Sequence, residues 1–250
     1  MEREQYEVMF QREDQHWWYS GMRRAALALL RQALRDTTAP LILDAGCGTG
    51  GTTLRLQEFG TVVGVDLVPE ALELAVSRGL AARLAGGSVE RLPFRDGSFD
   101  VLTSFEVLYH AGVNNDRLAL AEFRRVLRPG GLMLLRLPAH DWLRGHHDRL
   151  VHTRHRYSRQ EVTDKLDAAG FSIEHLSWAN SILFPPAVAK RLLERFTPHD
   201  EAAGAEPDLW QPPGPLNALL EQCLAVEALA FPRRIPLPFG LSLIALARAA

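Results

Sequence analysis

The chain has 250 residues, 47% apolar and 23% charged, with a formal net charge of -2 at pH 7. That is enough for one large α/β domain with decorations, and the charge balance argues against a general attraction to nucleic acid. Two cysteines, Cys47 and Cys223, exclude a disulfide framework and point to a cytoplasmic setting; the polar start predicts no signal peptide, and with no long apolar run no stable membrane insertion is expected.

Residues 1–38 precede the first strand and read as an N-terminal helical cap. Met9, Trp17, Trp18 and Tyr19 are interleaved with Glu13, Asp14, Gln15 and His16, and Leu27, Leu30 and Leu34 then recur at helical spacing. The aromatics either pack this cap on a sheet or form a lid. As a lid, Trp17 and Tyr19 would attract a cationic ligand through their ring faces and exclude water.

Leu41-Ile42-Leu43 reads as a buried strand, and Thr52 to Leu56 opens a helix. Between them lies Asp44-Ala45-Gly46-Cys47-Gly48-Thr49-Gly50. A glycine-rich turn at this place lets a ligand approach the backbone, and the helix N-terminus offers unpaired N–H groups. Gly46, Gly48 and Gly51 satisfy G-x-G-x-x-G, and Asp66 follows about twenty residues later, as a dinucleotide fingerprint asks. Asp44 points elsewhere: a pyrophosphate gains nothing from a carboxylate there, whereas a cofactor with a cationic end does. Thr61 to Asp66 is a second strand, and its terminal acid either accepts ribose hydroxyls or caps the helix that starts at Pro69.

Gly97 to Glu106 reads as the fourth strand, whose end faces the reaction centre in a doubly wound sheet. Phe105 and Glu106 approach the ligand there, with Tyr109 and His110 one turn beyond. His110 is the candidate general base, or else packs without proton transfer. A helix over Leu118–Leu127 is stopped by Arg128-Pro129-Gly130-Gly131, and Leu132–Leu137 is a fifth strand. Residues 138–160 hold five histidines and five arginines. They form a solvated basic loop, an anion-recognition surface using Arg154 and Arg156, or, least in keeping with ligand spacing, a metal site from His146, His147, Asp148 and His152; no metal is expected. Ser158 with Glu161 makes a capping box for a helix ending at Gly170, and Phe171–Trp178 alternates as a sixth strand. Residues 181–239 hold ten of the fifteen prolines. They contain a helix over Val188–Phe196, a connector over Pro198–Pro215 and a helix from Leu216 to Leu224. Leu241–Ala247 is a last buried strand.

Asp-x-Gly-x-Gly-x-Gly, filled by Asp44, Gly46, Gly48 and Gly50, resembles motif I of the class I S-adenosylmethionine-dependent methyltransferases. Gly86-Gly87-Ser88-Val89-Glu90-Arg91-Leu92-Pro93-Phe94 is similar to their adenine-binding turn, with Ser88 where the family usually has Asp. Leu-Arg-Pro-Gly-Gly before a strand, Ala-Gly-Phe before an alternating strand, and Glu-x-x-His-Trp-Trp-Tyr followed by Arg-Arg are further resemblances. They imply a Rossmann-like α/β fold: a doubly wound, mostly parallel seven-stranded sheet. The organisation expected is a cap over 1–38, a cofactor core over 39–180, a helical insertion over 181–239 for the acceptor pocket or a homodimer contact, and the last core strand over 240–250. The cofactor implied is S-adenosyl-L-methionine. Asp44 and Gly46, Cys47, Gly48 and Gly50 would hold its methionine end, Asp66 with Leu67 its ribose, Ser88 with Val89 its adenine, with Phe105, Trp17 and Tyr19 around it. The activity implied is in-line transfer of a methyl group to oxygen or nitrogen of a small molecule. Glu106, Tyr109, Arg154 and Arg156 are the residues to meet it, the arginines through an acidic group. The strand end Ser104-Phe105-Glu106-Val107 lacks the Asn/Asp-Pro-Pro-aromatic signature of nucleobase amine methylation, so no nucleic acid partner is expected. Two alternatives stay open. One is a nicotinamide-dependent oxidoreductase, for which no Tyr-x-x-x-Lys pair exists. The other is a protein that binds S-adenosylmethionine without transferring its methyl.

Overall fold

The computed structural model describes residues 3–145, 148, 151–194 and 212–250. Among them are seven strands: β1 (Leu41–Ala45), β2 (Thr61–Asp66), β3 (Leu84–Gly86), β4 (Phe99–Phe105), β5 (Leu127–Pro138), β6 (Phe171–Ala179) and β7 (Ser242–Ala249). They form one sheet in the order 3-2-1-4-5-7-6. The first five run parallel, and β7 lies antiparallel between β5 and β6. The sequence expectation of a doubly wound seven-stranded sheet is met.

Period-two alternation sends the strand side chains to opposite faces. Ile42, Val62, Val101, Leu134 and Ile244 are buried against α2 (Trp17–Ala33) and α8 (Gly214–Glu227). Leu43, Val65, Leu102, Met133 and Ala245 are buried against α5 (Asp116–Val126) and α6 (Arg159–Ala168). The remaining helices are α1 (Arg3–Arg12), α3 (Gly51–Leu56), α4 (Pro69–Ala75) and α7 (Phe184–Glu194). Asn115 caps α5 by accepting from Arg117 N–H and Leu118 N–H. Ser158 caps α6 by accepting from Glu161 N–H at 3.1 Å, as the capping box requires. At the opposite end of the sheet from the site, the Asp100 carboxylate accepts from Leu41 N–H at 2.8 Å and pairs with Arg128, tying the starts of β1 and β5 to β4.

Several element boundaries differ from the sequence reading. The N-terminal region holds two helices, because His16 turns the chain and caps α2 through Nδ1, which accepts from Trp18 N–H at 3.3 Å. The helix expected behind Pro185-Pro186 begins at Phe184 instead. Prolines fit a first helical turn, whose N–H groups have no intrahelical partner. Strand β5 starts at Leu127, before the Pro129-Gly130 turn, through a pairing of Leu127 with Phe99.

The N-terminal helices and residues 212–239 form a joint layer. Asn217 on α8 accepts from Trp17 N–H and donates to the Gln15 carbonyl, both at 3.0 Å. Leu224 lies so close to α2 that a Cβ on Gly21 would fall 2.5 Å from its Cδ1. His146, His147 and Arg149, and most of the connector expected over 198–215, lie outside the described residues. Among the described residues no helix is long and apolar enough to cross a membrane, and no group of three or more His, Cys, Asp or Glu is placed to hold a metal.

Candidate active site

Sheet order reverses between β1 and β4, so their carboxyl ends splay connections to opposite sides and leave a crevice. A cavity of about 630 Å³ opens there. The loop after β1 forms one wall. Gly46 and Gly48 take φ of 84° and 53°, a region that disfavours side chains, and a Cβ on Gly46 would also strike Val107 at 2.2 Å. Asp66, at the end of β2, fixes this loop: its Oδ2 accepts from Gly48 N–H at 2.8 Å and its Oδ1 from Val68 N–H at 3.0 Å. Burial raises the Asp66 carboxyl above its ordinary value, against the pull of those N–H groups. Asp44 is 3% exposed and accepts from Thr53 Oγ1 at 2.6 Å and Thr103 Oγ1 at 2.9 Å. Burial pushes its pKa up to about 6. Burial also pushes the Cys47 thiol up, which keeps it protonated and unreactive.

The N-terminal helices cover this wall. Glu13 is buried and pairs with Arg78 at 2.9 Å while accepting from Thr49 Oγ1 in the glycine loop. Arg78 also donates to the Thr49 carbonyl at 3.0 Å, pairs with Asp14 at 2.7 Å and stacks on Phe10 at 4.4 Å. This clasp ties α1 and the turn behind it to the loop. It sets Met9, Glu13, Trp17, Trp18 and Tyr19 in the cavity wall.

Leu67, Ser88 and Val89 line the cavity beyond Asp66. Ser88 Oγ accepts from Glu90 N–H at 3.2 Å, so its hydroxyl keeps its donor. On the side of β4 and β5, Glu106 follows Phe105 with φ of 59°, a costly conformation for a non-glycine residue that concentrates at functional sites. Its carboxylate pairs with Arg136 on β5 at 3.0 Å. The Arg136 guanidinium lies 5.2 Å from the Trp18 ring and 5.1 Å from the Phe105 ring. Arg156 is held by Asp148 through Nε at 2.7 Å and Nη2 at 3.2 Å. Tyr109 is half-buried, and burial together with the Glu106 charge raises its phenol.

His110 also lines the cavity. Nδ1 accepts from Gly112 N–H at 3.0 Å, so the neutral ring carries its hydrogen on Nε2. That atom is buried with no hydrogen-bond partner among the described residues. Burial lowers the pKa to about 4, and a neutral imidazole in this tautomer donates from Nε2.

Of the sequence-nominated residues, Asp44, Gly46, Cys47, Gly48, Asp66, Leu67, Ser88, Val89, Phe105, Trp17, Tyr19, Glu106, Tyr109, His110 and Arg156 all line this cavity. Gly50 and Arg154 do not. Gly50 caps α3 with φ of 85° and turns its α-carbon toward Leu80. Arg154 is exposed and donates to the Asn114 carbonyl. The sequence reading missed Glu13 and Arg136 as wall residues, and Asn180 and Ser242 beside them. Arg136 had a signal, being a charge inside the apolar run Leu132–Leu137, where only a partner makes burial tolerable.

The glycine loop fits a cofactor with a cationic end. Three carboxylates, Glu13, Asp44 and Asp66, line the cavity with Gly46 and Gly48, whose backbone carries no Cβ. Residues 43–135 match the family described as "Methyltransferase domain". The chain is 34% identical over 166 residues to a malonyl-[acyl-carrier protein] O-methyltransferase of Herminiimonas arsenicoxydans, covering 63% of this chain and 61% of the relative. It is also 34% identical over 120 residues to "Probable tRNA methyltransferase 9B" of Homo sapiens, covering 47% of this chain and 26% of that one. It thus spans less than two thirds of either relative. Its fold is similar to one solved in the complex between the Haloferax volcanii Trm112 methyltransferase activator and its methyltransferase-like partner. The TM-score is 0.62 at 22% identity, over 99% of this chain and 93% of that one.

Proposed function

The chain belongs to the class I S-adenosylmethionine-dependent methyltransferase superfamily, its methyltransferase domain spanning residues 43–135, and from that premise we propose that it binds S-adenosylmethionine in the 630 Å³ cavity and transfers a methyl group to oxygen or nitrogen of a small-molecule acceptor. The observation that carries this reading is the conjunction of Asp66, the Gly46–Gly48 loop and the Asp44 carboxylate at the β1–β4 switch point. The bound cofactor supplies a methyl carbon made electrophilic by its sulfonium.

Each protein group has a role set by its position. Asp44 and Glu13 present negative charge to the ammonium end. Asp66 keeps its two backbone N–H partners and offers its remaining lone pairs to the ribose hydroxyls. Ser88 and Val89 take the adenine, with Ser88 contributing a neutral hydroxyl. Trp17, Trp18 and Tyr19 close over the site and exclude water, while Phe105 and Tyr109 border the acceptor. His110 donates from Nε2 to the ligand rather than removing a proton. Most of the acceleration then comes from holding nucleophile, methyl and sulfur in line. Among the described residues, those within 39–180 are the working core, those within 1–38 its cover and those within 181–239 the acceptor-side wall, in a cytoplasmic protein.

A nucleic acid acceptor is the second reading, favoured by the name of the human relative. Incubation with methyl-labelled S-adenosylmethionine and fractionated cell extract tests both, with Asp66→Ala as control. Label in the small-molecule fraction, absent with the variant, supports the first reading. Label in RNA supports the second, and tight cofactor binding with no label in any fraction removes the transfer activity itself.

A further inference from the structure

The charges of the cavity wall are segregated. Carboxylates Glu13, Asp44 and Asp66 sit at the glycine loop, while Arg136, Arg156, Lys190 and Arg191 stand toward β5 and α7 with one carboxylate, Glu106, among them. Strand register continues that second wall across the sheet edge. Phe105 pairs with Arg136, Pro138 with Ser242, and Ser242 with Ala179, which brings Glu106, Arg136, Ser242 and Asn180 to one rim.

Arg136 is distinct within this wall. Its side chain is 8% exposed, yet its one side-chain hydrogen bond uses Nε, toward Glu106 Oε1 at 3.0 Å. Among the described residues Nη1 and Nη2 have no hydrogen-bond partner, although the guanidinium lines the cavity. Trp18 and Phe105, at 5.2 and 5.1 Å, fix its position, so little side-chain entropy remains to be lost on binding. Arg156, by contrast, spends Nε and Nη2 on Asp148.

Resting on the methyl-transfer reading, we propose that Arg136 is the specificity-determining residue of the acceptor site, and that its Nη1 and Nη2 groups bind a carboxylate on the acceptor as a two-pronged fork. Two parallel N–H donors match the two oxygens of a planar carboxylate, and the water-poor wall strengthens the contact. Leu143, Val151, Ala187, Leu220 and Leu241 line the same cavity. The acceptor is therefore an apolar molecule with one carboxylate, and the neutral amide of the same molecule binds poorly.

The test uses the full chain loaded with S-adenosylhomocysteine and straight-chain carboxylates from acetate to dodecanoate. Each is compared by calorimetry with its primary amide and with the alkyl phosphate of equal length. The variant is the charge-neutral pair Arg136→Met with Glu106→Gln, which leaves no buried charge unpaired. The exposed pair Arg31→Gln with Glu58→Gln, which likewise removes one charge of each sign, is the control. At least one carboxylate should bind tenfold or more tighter than its amide. That preference should vanish in the Arg136/Glu106 variant and persist in the Arg31/Glu58 control, and both variants should keep S-adenosylhomocysteine affinity within threefold of wild type. The proposal is overturned if no carboxylate outbinds its amide, if the preference survives in the Arg136/Glu106 variant, or if the phosphates bind tighter than the carboxylates. Loss of S-adenosylhomocysteine binding by the wild-type chain would instead sink the underlying reading.

Discussion

At the scale of single residues, Asp66 does two jobs with one carboxylate. It holds Gly48 N–H and Val68 N–H and, in the reading above, the ribose. Charge-assisted hydrogen bonds contribute about 1.5–3 kcal/mol each, so Asp66→Ala should weaken S-adenosylhomocysteine binding on the order of 100-fold by calorimetry. A Kd within fivefold of wild type would remove Asp66 from the site. His110 separates donor from base by pH. Its folded pKa of about 4 lies below the ordinary histidine value, so the ring stays neutral from pH 5 upward. Its stabilising contribution is complete above about pH 6.5 and is lost as pH falls toward 4. The kcat/KM profile should therefore show no limb from His110 between pH 6 and 8. His110→Gln, whose amide can donate, should keep more activity than His110→Ala; equal loss in both, with a wild-type limb near pH 6.5 abolished, would restore the base.

The elements were legible where local chemistry decides them. Strands β1, β2, β4 and β5 are apolar runs, the glycine loop needs positive φ, and the Ser158 cap follows from its reciprocal Glu161. Boundaries set by tertiary contacts were not. Nothing local in the sequence says that α8 docks on α2, or that Glu13 reaches 36 residues along the chain to Thr49. Arg136 was visible as a misplaced charge, but its partner Glu106 and its flanking rings come from two separate elements, the end of β4 and α2. The α2–α8 contact makes its own prediction. A methyl group at Gly21 would meet Leu224 Cδ1 at 2.5 Å and Cβ at 2.6 Å. Overpacking of this kind costs about 1–3 kcal/mol, against roughly 1 kcal/mol of helix propensity gained over glycine. Gly21→Ala should thus lower stability in chemical denaturation, with a reduced midpoint. A raised midpoint would mean that the two helices are not in close contact.

Across the whole molecule, the cavity joins parts that are far apart in sequence. Residues from α1 and α2, the ends of β1, β2, β4 and β5, and residues of α7 and α8 share its wall. A ligand that bridges them must stabilise the folded chain as a unit, because the unfolded chain has no such wall. At a concentration one hundred times its Kd, a ligand of this kind contributes about 2.7 kcal/mol. A domain this large gains about 2–4 °C per kcal/mol, so S-adenosylhomocysteine should raise Tm by about 5–10 °C in a thermal melt. The clasp between Glu13, Thr49 and Arg78 gives that prediction a second arm. Glu13→Gln leaves Arg78 its pair with Asp14 but loosens the hold of the N-terminal cover on the glycine loop. Its ligand-free Tm should fall only modestly, whereas dissociation of S-adenosylhomocysteine in stopped-flow should quicken several-fold. An unchanged dissociation rate, with the Tm shift intact, would mean that the cover packs beside the cofactor without closing over it.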